Sequence, residues 1–272
     1  MQHRPAWAPD EVDIERPSAA RMYDYYLGGS HNFAADRALA EQAIRHWPDL
    51  PYMARANRAF LHRAITTLCG LGIDQFLDLG SGIPTNGNVH DVAQAHNPAS
   101  RTVYVDADLV AVAHSTALLN GVPRTAVVHA DLRDPYAILA DPVLTENLDL
   151  DRPVAVLLLS VLPFIRDEDD PGAIVTAFHD ATVPGSYLVM SHGTYDYSPE
   201  RAKRAAGVYE NAANSLTLRS REEIIKLFGD YELIEPGLTD MINWRPDPNS
   251  PPDPLDGDVA RYSFYAAVGR RI

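Results

Sequence analysis

The sequence predicts an α/β protein, a mostly parallel sheet with helices on both faces, preceded by a helical segment. Three observations carry this. From residue 75 onward, short apolar runs alternate with segments of helical periodicity, the pattern of strand–helix–strand units. The first run, QFLDLGSG (75–82), breaks from an apolar strand into small residues, as a strand does where it feeds a tight loop. Before it, residues 17–72 carry only helix-spaced apolar positions.

Residues 1–16 read as a polar, proline-containing lead-in. PSAARMYDYYLGG then opens with Pro17-Ser18 and stops at Gly28-Gly29. AADRALAEQAIRHW is broken by Pro48, and PYMARANRAFLHRAITTLCGLG has Pro51 in its first turn and ends at Gly70 and Gly72. Strands are expected at 75–80, 101–106, 125–131, 153–160, 185–192, 231–237 and 261–269. Helices are expected at 87–96, 108–120, 170–182, 199–214 and 220–228, the last opened by a capping box from Ser220 to Glu223. PDPNSPPDPLDG (246–257) reads as a loop before the final strand. The division expected is a helical cap over 1–72, part of the same domain as a ligand-binding unit over 73–272.

The chain has 272 residues, 46% of them hydrophobic, enough for a sizeable core. Its formal net charge of −14 argues against a nucleic-acid or anionic-membrane binder, whose affinity rests on Lys and Arg meeting phosphate. Cys69 is the single cysteine, so neither a disulfide within the chain nor a cysteine-based zinc site is expected. The N-terminus has no apolar signal-peptide core. The longest apolar stretch, Val154 to Ile165, is too short to span a bilayer and contains Pro163. A soluble cytoplasmic protein is the expectation. None of the ten histidines forms an H-x-x-x-H pair, and no metal is expected.

In an open parallel sheet, ligands bind beyond the carboxyl ends of the strands. The first strand closes with Asp78-Leu79-Gly80-Ser81-Gly82, whose glycines let backbone approach a ligand. The second closes with Asp106, an acid placed to accept from ribose hydroxyls or to cap the next helix, a role for which Asp108 competes. The third closes at His129 with Ala130-Asp131-Leu132, where Asp131 offers an acceptor for an adenine amine and Leu132 an apolar surface. The fourth closes with Ser160. Together they point to a nucleoside-containing ligand. The third glycine of G-x-G-x-x-G is missing, since Pro84-Thr85-Asn86-Gly87 delays the helix, so a nicotinamide dinucleotide is the weaker alternative. G-x-x-x-x-G-K-[ST] is absent as well.

LDLGSG, the acid ending strand two, and ADL after strand three resemble the first three motifs of class I S-adenosylmethionine-dependent methyltransferases. YELIEPG followed by RYSFYAAVG resembles the reversed seventh strand of that Rossmann-like fold, which implies the order 3-2-1-4-5-7-6 with strand seven antiparallel. PSAARMYDYYLGGSHNFAADRALAEQ, VYVDADLVAVAH and ALLNG resemble the actinobacterial S-adenosyl methyltransferase family first catalogued as a domain of unknown function. The resemblance runs from about Pro17 to Gly269; the sequence departs from it at Leu162-Pro163-Phe164, where a histidine is expected after the leucine.

The resemblance implies S-adenosyl-L-methionine as cofactor. It places Asp78, Gly80, Ser81 and Gly82 along the methionine part, with Asp78 orienting the loop and meeting the cofactor's amino group. Asp106, with Ala107 beside it, binds the ribose, Asp131 and Leu132 hold the adenine, and Ser160 sits by the sulfonium. The segment 21–33 is the candidate lid: Tyr23 is expected at the cofactor, Asn32 and Phe33 at cofactor or substrate, and Met22, Tyr26 and Leu27 in a core stripe. His192, with Tyr195 nearby, is the candidate general base. Methyl transfer to a small-molecule acceptor is the expected function; a non-catalytic S-adenosylmethionine-binding protein and a nicotinamide-dependent oxidoreductase are the alternatives.

Overall fold

A computed structural model describes residues 8, 10–84, 87–210 and 212–272. Thr85 and Asn86 of the expected turn, most of the lead-in's first nine positions, and position 211 of the expected helix 199–214 lie outside the described residues. Three helices open the chain: α1 (Ala19–Tyr26), α2 (Ala34–His46) and α3 (Leu50–Gly70). α1 stops where Gly28 takes a φ of 81°, a left-handed conformation that glycine adopts without Cβ strain. The amides of Gly28 and Gly29 then return to the carbonyls of Tyr25 and Asp24.

The alternating part follows as β1 (Gln75–Leu79), α4 (Val89–His96), β2 (Arg101–Asp106), α5 (Leu109–Leu118), β3 (Thr125–His129), α6 (Pro135–Leu139), α7 (Pro142–Asn147) and β4 (Ala155–Leu159). It continues with α8 (Pro171–Ala181), β5 (Tyr187–Gly193), α9 (Pro199–Tyr209), α10 (Arg221–Lys226), β6 (Glu232–Leu233), β7 (Thr239–Asp240), α11 (Val259–Tyr262) and β8 (Phe264–Arg270). Strands β1 to β5 run parallel in the order β3-β2-β1-β4-β5. β8 is antiparallel to β5 and carries β6 and the short β7 on its far edge. This is the class I methyltransferase arrangement, with β8 as its long reversed strand.

Three expectations are corrected. α6 and α7 were not anticipated: each starts with an Asp-Pro pair, whose aspartate accepts the amide of Ala137 or Val143, and each is too short to show periodicity. The strand expected over 231–237 shrinks to two residues because Pro236 and Gly237 end it. The strand expected from 261 begins at Phe264, since Asp258 caps the short α11.

The period-two alternation of the strands builds a core on each face. Leu77, Leu79, Val103, Val105, Val156 and Leu158 pack with Ile138, Leu144, Ile174, Phe178 and Ile224 on one side. Phe76, Tyr104, Ala155, Leu157 and Val189 pack under Phe60, Leu61, Ala64, Ile65 and Leu68 of α3 on the other. α3 therefore belongs to the sheet's own core, and its N-terminal half also carries the cap. There Met22 and Tyr26 are buried with Leu39, Ala40, Ala43, Val208 and Tyr209, and Leu27 packs against them at partial exposure.

Candidate functional site

A cavity of about 510 Å³ opens at the carboxyl ends of β1, β2, β3 and β4, beneath α1. It brings together Tyr23, Asp78, Gly80, Ser81, Gly82, Asp106, Ala107, Asp131, Leu132 and Ser160. The loop after β1 is held by its neighbour strand: the amides of Gly80 and Ser81 donate to the carbonyl of Val105, and the amide of Gly82 donates to Asp106 Oδ2 at 2.7 Å. Gly80 and Gly82 both have a φ of 67°. A Cβ on Gly80 would lie 2.2 Å from Val161 Cγ2, while one on Gly82 would meet nothing within 4 Å. Gly80 thus lets the loop close on Val161, in the segment that follows β4, and Gly82 keeps the loop's outer side open.

Asp106 is the organiser of this corner. Its second oxygen accepts the amide of Asp108 at 2.8 Å, and burial pushes its pKa up to about 6, against the lowering effect of these amides. Asp108, not Asp106, caps α5, accepting from Val110 and Ala111. Asp108 also binds Ser18 Oγ at 2.5 Å and Arg21 Nη1 at 2.9 Å. Arg21 is buried and pairs with Asp36 as well. This chain of charges ties α1 and α2 over the cavity.

Asp78 sits at the centre, on the face of β1 that looks toward α3. The amides of the glycine loop go to Val105 and Asp106 and not to Asp78. Among the described residues no hydrogen bond reaches the Asp78 carboxylate. Burial raises its pKa to about 7, with Asp106 adding to the rise and Arg58 opposing it. Arg58 of α3 lines the same cavity; its Nη2 donates to the Gly87 carbonyl at 2.8 Å, and among the described residues its buried Nε has no partner.

At the far end, Leu132 is buried and Asp131 is ion-paired with Arg133 at 2.5 Å. The Arg133 hydrogen bond holds the Asp131 carboxyl below its ordinary pKa. Ser160 takes a φ of 57°, a left-handed conformation that strains a non-glycine residue by about 1–3 kcal/mol. Its amide donates to the Ser191 carbonyl. Tyr23 enters from α1; its hydroxyl donates to the Ala54 carbonyl and accepts from Asn57 Nδ2 at 3.1 Å. Asn57 in turn accepts from Ser191 Oγ at 2.6 Å.

Three expected site residues lie elsewhere. Asn32 is buried away from the cavity, donating to Asp24 and to the Gly29 carbonyl and accepting from Arg37. It closes the loop between α1 and α2. Phe33 packs with Val12, Ile83, Val110 and Ala111, under the Arg21 guanidinium. His192 is wholly buried in β5. Its Nδ1 lies 2.7 Å from the Gly193 carbonyl and its Nε2 2.9 Å from Arg219 Nη1. A carbonyl only accepts and a guanidinium only donates, so the ring is the neutral tautomer with its proton on Nδ1. Burial drives its pKa down to about 3. Both ring nitrogens are thus engaged, and His192 is not among the residues that line the cavity.

The sequence reading missed Asn57, Arg58 and Arg133 as cavity residues and named Arg21 only as part of the lid segment. One signal was available: Asn57-Arg58 interrupts the apolar stripe of α3. Among the described residues no helix is long and apolar enough to cross a membrane.

Fold and cavity define an S-adenosylmethionine-dependent methyltransferase, and the sequence comparisons agree. The model of the S-adenosyl methyltransferase family matches residues 5–272, and the chain belongs to that family. Two solved structures match it over nearly their whole length. A candidate methyltransferase from Thermobifida fusca is 42% identical with a TM-score of 0.90, covering 98% of this chain and 99% of that one. A DUF574 family protein from Streptomyces avermitilis is 40% identical with a TM-score of 0.90, covering 96% of this chain and 99% of that one. Among curated proteins none matches this sequence.

Proposed function

We propose that the protein transfers a methyl group in line to a small-molecule acceptor, with the cofactor held by the residues of the 510 Å³ cavity. The observation that carries this is the convergence of Asp78, the glycine loop, Asp106 and Asp131-Leu132 on one cavity at the strand ends. Two features of the protein fit the cofactor. Asp78 is buried, and among the described residues no donor reaches its carboxylate, which leaves it as the partner an ammonium group needs. The space beyond Gly82 is open where any other residue would place a Cβ.

When bound, the cofactor supplies a methyl group already activated on a sulfonium. The chain's own task is then alignment and exclusion of water. Asp106 accepts from the ribose hydroxyls while keeping its grip on Gly82. Asp78 and Arg58 take the ammonium and carboxylate ends of the methionine part. Leu132 gives the adenine an apolar seat, and Asp131 turns an oxygen to its amine. Arg21 and Asp108 hold α1 down as the roof. The net charge of −14 supports a small acceptor over nucleic acid.

Calorimetric titration with S-adenosylmethionine, S-adenosylhomocysteine and NADH tests the reading. Binding of the first two, lost in Asp106→Ala, is expected. Binding of NADH instead overturns it. Cofactor binding without turnover of any small molecule would favour the non-catalytic alternative.

A further inference from the structure

Beside the cofactor cavity lies a second, smaller chamber of about 70 Å³. The two share a wall made by Ala19, Tyr23, Asn57, Ser160 and Phe164. Ser160 is where the sulfonium end is expected, so this wall is where a methyl group would cross. Behind it stand Tyr26, Trp47, Met53, Tyr209, Leu216 and Leu218. Among the described residues, no acid, no base and no histidine lines the chamber. A charged group entering it would shed its water and find no counter-charge.

We propose that this chamber seats the methyl acceptor, and that the acceptor is a neutral small molecule with an apolar end and one hydrogen-bond-accepting oxygen or nitrogen. The inference rests on the methyl-transfer reading above. The lining dictates the apolar end. Size follows from volume: a core cavity of about 150 Å³ holds a benzene ring. At about 70 Å³ the chamber takes a short chain or part of a single ring, the rest lying in the mouth beside Ser160.

The accepting atom follows from the two tyrosines. The hydroxyl oxygens of Tyr26 and Tyr209 are 2.9 Å apart, and one donates to the other. That bond uses one of two protons. Among the described residues the second has no acceptor, so it is available to a ligand atom in the chamber. Burial raises both phenols, Tyr209 to about 12 and Tyr26 well above its ordinary value. At neutral pH both are donors, and neither is a base. The acceptor's own lone pair therefore forms the bond to the methyl carbon as the carbon–sulfur bond breaks and its electron pair stays on sulfur. Any proton on the attacking atom then leaves to water.

The test is calorimetric titration of the full chain, loaded with S-adenosylhomocysteine, with phenol and with benzoate as its charged counterpart. Phenol is expected to bind, and benzoate at least about tenfold more weakly. Leu216→Trp plugs the chamber and should weaken phenol by at least about tenfold. S-adenosylhomocysteine affinity should stay within about twofold, because Leu216 does not line the cofactor cavity. That affinity also reports folding, and Leu218→Trp repeats the test from the adjacent wall if Leu216→Trp does not fold. Absence of phenol binding, phenol binding indifferent to both plugs, or benzoate binding as tightly as phenol overturns the acceptor assignment and leaves the methyl-transfer reading standing. Failure of the unmodified chain to bind S-adenosylhomocysteine overturns both.

Discussion

The carboxylate of Asp106 holds the amide of Gly82 at 2.7 Å. The acid at the end of β2 thus shapes the loop at the end of β1 before any ligand arrives. Two consequences follow for the residue assigned to the ribose: it is already positioned, and it is already partly desolvated.

Asp106→Ala is expected to lower S-adenosylmethionine affinity by about 10- to 100-fold, the loss of one or two hydrogen bonds to a charged group. Asp106→Asn keeps one carbonyl oxygen for an amide and should fall between. Calorimetry on both variants checks this; unchanged affinity in Asp106→Ala removes the residue from the site.

Asp78 gives the cofactor affinity a pH dependence. Burial pushes its carboxyl up to about 7, and only the ionised form pairs with an ammonium group. Affinity should fall about tenfold between about pH 8 and about pH 6. Binding in that window should release a proton, seen as a heat that depends on the buffer's ionisation enthalpy. Asp78→Asn should bind more weakly at pH 8 and lose the part of the slope that Asp78 supplies, leaving that of Asp106. A wild-type affinity flat across this range contradicts the pairing.

Strand runs, the glycine loop and the acids at the strand ends were legible because each is local. A period-two or period-3.6 pattern and a glycine bracket need only neighbouring residues to be recognised. What escaped depends on distant pairing. His192 ends a strand beside the site and reads as accessible, yet its fate is decided by Arg219 on a later loop. Asn32 reads as a lid residue until Asp24 claims its amide. Arg58 reads as one more polar position on an amphipathic helix until α3 is laid against β1 and faces it toward Asp78. Helices as short as α6 and α7 have too few residues to display a period.

Gly80→Ala and Gly82→Ala should separate closure of the loop from its conformation. Both force alanine into a left-handed φ, costing roughly 1–2 kcal/mol. Gly80→Ala adds the clash with Val161, 2.2 Å from Cγ2, and should lower the thermal midpoint further. Val161→Ala should recover part of that extra loss only, since the Val161 Cβ itself lies 2.8 Å away. Equal destabilisation by the two glycine variants would show that the loop does not close on Val161.

His192 supplies the last prediction, because a base and a buried neutral ring respond oppositely to replacement. A base removed lowers turnover with stability intact. His192→Gln should instead destabilise the fold by about 1–3 kcal/mol, as Arg219 Nη1 and the Gly193 carbonyl lose matched partners, while the folded protein keeps its cofactor affinity. The folded pKa of His192 is about 3, below the roughly 6.5 of an unfolded chain. Between these values the unfolded state binds more protons, so stability falls as pH falls through the window, by up to about 1.4 kcal/mol per unit. Asp78 and Asp106, with raised folded values of about 7 and about 6, act in the opposite direction over part of the same range. The informative quantity is therefore the difference between wild type and His192→Gln in denaturant unfolding at a series of pH values. That difference should be largest near neutral pH, fall by up to about 1.4 kcal/mol per unit below about pH 6.5, and reverse sign before about pH 4. A difference constant with pH would mean that His192 is not held neutral in the fold.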